Sequence, residues 1–190
     1  MAGLQRRYAA VDTVAAGFRQ TYRAPGVDTT ESGMFWLKKP GLMRWEYRSP
    51  EPKLFIADGH ETYLYMPEEH QVMISRFTAA ELHSTPLQFL VGQGNIAASY
   101  DASLDTEMKP MLAGTVLLRL TPRAQEPEYS YIVLELDAAT YDVKRIVIRE
   151  RTGNTSEFAL SDLKTNVKVD NRQFSFKVPP NVEVIRVDEK

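Results

Sequence analysis

The chain has 190 residues, 43% of them hydrophobic, with a mean hydropathy of −0.34 and a formal net charge of −2. These values suit a soluble globular domain, offer no whole-molecule field to draw in nucleic acid or an acidic membrane, and contain no run near the roughly 18 apolar residues of a membrane-spanning helix. Cysteine is absent, which excludes thiol catalysis, CxxC metal sites and disulfides and leaves the compartment open.

Residues 4–20 place Leu4, Tyr8, Val11, Val14 and Phe18 three and four apart, with Arg6, Arg7, Asp12 and Arg19 largely off that stripe. The spacing predicts an amphipathic helix packed on a sheet. The opening Met1-Ala2-Gly3 is not a signal peptide, and an exported protein written from its mature start would read the same. After a loop at Pro25-Gly26, residues 33–72 carry apolar and aromatic residues in short runs. These runs are cut by Pro40-Gly41, Ser49-Pro50-Glu51-Pro52, Asp58-Gly59 and Pro67-Glu68-Glu69. Such punctuation predicts consecutive antiparallel strands on tight connections. Asp58-Gly59 suits a hairpin because glycine takes the positive φ of a two-residue turn. Within one strand Met43, Trp45 and Tyr47 share a face, while Leu42, Arg44, Glu46 and Arg48 share the other. Neighbouring strands add Met34 and Trp36, Phe55, and Tyr63 and Tyr65.

The pattern then changes. Thr78 with Glu81 forms a capping box, and Thr85-Pro86 starts a second short helix with Leu87, Leu90 and Val91 on one side. Helices of two turns do not stand alone and must lean on the sheet. Residues 96–104 read as a strand and 109–114 as a turn; strands resume at 115–121, 130–137, 142–151, 155–164 and 173–178. Pro179-Pro180 halts the last, and Val182, Val184 and Val187 make an edge segment. With no repeat and no low-complexity linker, residues 1–190 are expected to form a single domain.

The sequence offers no catalytic constellation. His60, His70 and His83 fall in or near turns without metal-ligand spacing, and the GxSxG elbow, the Gly-rich phosphate loop and the dinucleotide fingerprint are all missing. Glu68-Glu69 and Asp101 with Asp105 have no sequence reason to share a proton. No enzyme activity, metal or cofactor is expected. Up to residue 50, eight basic residues face four acidic ones, and Lys38, Lys39 and Arg44 stand near Trp36 and Trp45. That mixture suits stacking of single-stranded nucleic acid, but the acidic chain as a whole argues against it. The apolar load remains. A face so rich in rings is either packed core, the commoner use, or the lining of a cavity for an apolar ligand. Met34, Met43, Met66 and Met73 would make such a lining adaptable.

The order G-x-F-W-L-K-K-P-x-L-x-R-W-E-Y over residues 33–47, I-A-D-G over 56–59 and Y-L-Y-x-P over 63–67 resembles the LolA family, the periplasmic carriers of outer-membrane lipoproteins. Thr85-Pro86-Leu87 with Leu90, and Phe174-Ser175-Phe176 before Pro179-Pro180, extend the resemblance. It implies an incomplete antiparallel β-barrel of about eleven strands, with a lid of short α-helices over an apolar hollow. Family members take a lipoprotein from an inner-membrane LolCDE-type ABC transporter and deliver it to a LolB-type receptor, without cofactor or bond making. A periplasmic monomer is therefore expected, binding lipoprotein acyl chains. Carried onto this chain, the acyl-chain cavity would comprise Tyr8, Met34, Trp36, Met43, Trp45, Tyr47, Tyr65, Leu87 and Leu90. Lys39 would latch the lid where the family commonly has arginine, although a lysine is a point donor and cannot reproduce a planar fork. Three alternatives stay open: a LolB-like receptor, normally anchored through an N-terminal cysteine; a module of the same shape for another lipid; and a β-rich interaction domain with a solid core.

Overall fold

A computed structural model describes residues 2–77, 96–124 and 126–187. Helix α1 (Ala2–Ala9) precedes β1 (Thr13–Ala24), β2 (Val27–Lys38), β3 (Leu42–Ser49), β4 (Lys53–Ala57), β5 (Glu61–Met66) and β6 (Gln71–Arg76). A helical turn at Ile96–Ser99 leads into β7 (Tyr100–Leu104), β8 (Thr115–Pro122), β9 (Tyr129–Asp137), β10 (Val143–Glu150) and β11 (Thr155–Thr165). A 3₁₀ turn at Asn171–Phe174 and β12 (Glu183–Val187) complete the chain. The protein is mainly β, and its strands form one open sheet in the order β12-β6-β5-β4-β3-β2-β1-β11-β10-β9-β8-β7. Among the described residues twelve strands stand where about eleven were expected, and β12 runs parallel to β6.

The turn residues act as the sequence suggests. Gly59 sits at φ +92°, and the Asp58 carboxylate accepts the N–H groups of His60 and Glu61, each at 2.8 Å. Three expectations are corrected. The helix over 4–20 ends at Ala9, and residues 13–24 are strand. Leu4, Tyr8, Val11, Val14 and Phe18 fit a helical period, but Val14, Ala16 and Phe18 are also buried at alternate positions. Hydrogen-bonding neighbours on both sides, β2 and β11, decide for the strand. Residues 173–178 do not form a strand; Asp170 caps the 3₁₀ turn by accepting from Arg172 N at 2.9 Å, and this drives Phe174 into the interior. Residues 96–104 begin with a helical turn before the strand. The helices expected at 78–92 lie outside the described residues.

The chain divides into two units. The first comprises residues 1–11, 19–30 and 86–161, the second residues 12–18, 31–85 and 162–190, and β1, β2 and β11 run through both. In the first unit, Leu4 and Tyr8 of α1 are fully buried, as are Leu120, Ile132, Leu134 and Ile146. Helix α1 is pinned at the head of β10: the Tyr8 hydroxyl accepts Val143 N–H at 3.0 Å, and Arg7 pairs with Asp142 at 2.9 Å. Gly3 lets the Tyr141 ring lie close over the helix, since a Cβ there would fall 2.4 Å from the ring. The same unit buries an ion pair. Glu135, 1% exposed, receives Arg145 Nε at 2.8 Å, the N–H groups of Met111 and Leu112 at 2.8 and 2.9 Å, and the Thr115 hydroxyl at 2.7 Å. Burial works to raise the Glu135 pKa, but those donors together outweigh it and hold the carboxyl below its ordinary value.

Candidate functional site: the ring-lined face of the second unit

Strand register decides which rings meet. Residues directly opposed across antiparallel strands project to the same side. Phe35 opposes Trp45, Leu37 opposes Met43, and Gly33 opposes Tyr47. On the next strand Phe55 opposes Trp45 and Ala57 opposes Met43. One face of the second unit therefore carries Phe35, Leu37, Met43, Trp45, Tyr47 and Phe55. Phe18 from the start of β1 joins it. Its ring lies edge-on to Trp45 at 4.8 Å and to Tyr47 at 5.1 Å, while Phe35 stacks on Trp45 at 4.7 Å. Such pairs contribute about 0.5–1.5 kcal/mol each beyond their buried area. Burial and then the Glu31 charge push the Tyr47 phenol up to about 12.

The same register separates residues that the family resemblance groups into one cavity. Met34 opposes Glu46, Trp36 opposes Arg44, and Tyr65 opposes Leu54. Met34, Trp36 and Tyr65 thus lie on the other face of the sheet from Met43, Trp45 and Tyr47. That other face is strapped by the segment after β11. Lys38 Nζ donates to Val169 O at 3.2 Å and to Asn171 Oδ1 at 2.7 Å, and Arg44 Nη1 donates to Gln173 O at 3.0 Å. The Phe176 ring packs 5.4 Å from Tyr63 and 5.6 Å from Tyr65. Phe174 is 1% exposed. Arg44 is committed to this strap and to Glu46, 2.8 Å away.

Tyr8 belongs to the first unit, where burial pushes its phenol up to about 12 despite the Val143 N–H. Lys39 lies in the turn between β2 and β3, beyond Leu37, and its N–H donates to Asp12 O at 2.9 Å. Leu87 and Leu90 lie outside the described residues. Phe18, Phe35 and Leu37 were missed. The available signal was parity, since Phe35 and Leu37 alternate with Met34 and Trp36. Among the described residues no group of three or more His, Asp or Glu could hold a metal ion, and no helix is long and apolar enough to cross a membrane. A face of this kind recognises a ligand by apolar area rather than by directed bonds.

The family described as outer membrane lipoprotein carrier protein LolA matches residues 9–177. The outer-membrane lipoprotein carrier protein of Hahella chejuensis is 26% identical over 179 residues, covering 93% of this chain and 83% of that protein. Its counterpart in Cupriavidus taiwanensis is 28% identical over 160 residues, covering 84% and 72%. Among solved structures, an uncharacterized conserved protein from Thermus thermophilus shares the fold, with a TM-score of 0.60 at 15% identity over 98% of each chain. The match over 9–177 spans both units and most of the sequence, and the chain belongs to the LolA family of outer membrane lipoprotein carrier proteins.

Proposed function

We propose that this protein is a periplasmic carrier that shelters lipoprotein acyl chains against the face built by Phe18, Phe35, Trp45 and Tyr47. In this reading it receives them from an inner-membrane LolCDE-type ABC transporter and delivers them to the outer membrane, through a LolB-type receptor where one is present. The observation that supports it is the ring face itself, seven apolar side chains contributed by β1 to β4. The physics demands such a face. A 16-carbon acyl chain in water is disfavoured by about 0.8 kcal/mol per CH₂, roughly 12 kcal/mol in all. Spontaneous crossing of an aqueous compartment is therefore excluded, and the carrier must offset most of that cost. Release also matters, and non-directional contacts to stiff rings permit it, because they can be exchanged for an equivalent apolar surface without stranding a polar group. Lys39, in the turn beside Leu37 and Met43, is the proposed latch. Two experiments test the proposal. Apo protein titrated with a fluorescent fatty-acid derivative or bis-ANS is expected to show saturable binding and quenching of Trp45. Inner-membrane vesicles loaded with lipoprotein are expected to release it into the soluble fraction when the protein is added; a folded protein that does neither is not a carrier.

A further inference from the structure

The ring face is not uniform along its length. Following β3 from Met43 through Trp45 to Tyr47, the side chains pass from nearly sealed to half-buried, and beyond Tyr47 the apolar lining stops. On β4 the residue opposing Tyr47 is Lys53, so its side chain projects to the same face. Lys53 Nζ sits 4.7 Å from the centroid of the Tyr47 ring and is ion-paired with Glu31. On the other side, β2 presents Gly33 to Tyr47, where a Cβ would fall 1.8 Å from Glu46 O. No side chain fills that position, and none can without moving the backbone. The face therefore ends at the Tyr47 ring, flanked by the side-chain-free backbone of Gly33 on β2 and crossed by Lys53, which reaches from β4 over the ring to Glu31 of β2. The side chains of Lys53 and Glu31 are 28% and 25% exposed, so an arriving ligand can touch them.

The chemistry at this end of the face is selective. The Lys53 charge is taken up by Glu31 and by the negative face of the Tyr47 ring, so no net cation is offered. An ammonium has three N–H donors; Glu31 occupies one and the ring faces another, which leaves a donor for an uncharged carbonyl oxygen. A carboxylate or phosphate entering here meets Glu31 together with Lys53, so it gives up its hydration without gaining a net opposite charge, whereas a neutral carbonyl gives up far less.

We propose that Glu31, Lys53 and Tyr47 form a polarity-reading rim: it accepts the neutral ester or amide linkage that joins an acyl chain to glycerol or to a peptide amine, turns away ionised free fatty acids, and aligns the tail toward Met43 and Leu37. The apolar run from Tyr47 to Met43 is about 13 Å long at the strand rise of about 3.3 Å per residue. The inference rests on the carrier reading and adds to it the class of head group admitted.

The test uses two probes that differ only at the head, 11-(dansylamino)undecanoic acid and its N-methylamide, titrated at pH 8 so that the acid is ionised. Wild-type protein is expected to bind the amide about tenfold more tightly than the acid. Glu31→Gln, nearly isosteric, leaves Lys53 as an uncompensated cation, and the preference should vanish or invert through tighter binding of the acid. Lys53→Met should weaken the amide more than the acid. Circular dichroism checks that each variant is folded. Wild type that binds both probes equally, or a Glu31→Gln variant that keeps the amide preference, overturns the rim while leaving the carrier intact. A folded wild type that binds neither probe overturns the carrier reading and the rim with it.

Discussion

The two faces of the second unit's sheet are covered in different ways. On one side the chain's own segment 167–176 is tied down by directed bonds, Lys38 to Val169 and Asn171 and Arg44 to Gln173, and is plugged by Phe174. On the other side Phe18, Phe35, Trp45 and Tyr47 meet through ring contacts. Directed bonds fix one covering, because each needs a particular donor facing a particular acceptor. Ring contacts have no such preference and are satisfied equally by another apolar surface. In the carrier proposed above, one sheet would keep a permanent cover on one face and an exchangeable one on the other.

Substitutions can break that contrast or sharpen it. The largest effect is expected for Phe174→Ala, which empties a fully buried site and should lower stability by about 3–5 kcal/mol, read as a shift in urea unfolding, while the folded fraction keeps its affinity for an apolar probe. Trp45→Phe should invert that pattern: it preserves most of the volume and costs less than about 1.5 kcal/mol of stability, yet weakens probe binding several-fold. If Trp45→Phe left binding untouched, the ring face would be ordinary core. Lys38→Met removes both bonds to the strap and, at a partly exposed site, should cost about 1 kcal/mol with no change in probe affinity.

The smallest effects concern pH, and the two faces should fail at opposite ends. The Arg172 guanidinium and N–H hold the Asp170 carboxyl below its ordinary value of 3.8. Its contribution to the strap is complete above pH 3.8 and disappears as the pH falls through the lower folded value. Hydrogen exchange at residues 172–175 should report that loosening. Tyr47 runs the other way. Its phenol titrates at about 12 rather than 10, so the stability drawn from its neutral form is complete below pH 10 and is lost as the pH rises toward 12. Tyrosinate absorbance followed alongside Trp45 fluorescence should show the ring face opening in that window.

Much of this was legible in the residues. The hairpins from β2 to β6 were readable because Asp58-Gly59 and the proline-rich breaks each carry a local conformational reason to turn. The segment after Ala9 was misread because its spacing satisfies helical and strand periods alike, and only neighbouring strands could choose. Phe174 and Phe176 alternate like strand residues, but a cap at Asp170 turned one inward and left the other against Tyr63 and Tyr65. The candidate site was half legible. Parity along β3 grouped Met43, Trp45 and Tyr47, yet it said nothing of β2, where a shift of one residue exchanges Met34 and Trp36 for Phe35 and Leu37.

By itself the sequence determined that this would be a turn-punctuated β protein with an apolar surplus, since turn chemistry and alternation are local properties. Only the tertiary structure decided which rings share a wall, and that Lys53 and Glu31 stand at its end, because hydrogen-bond register between strands far apart in the chain sets which side chains come face to face.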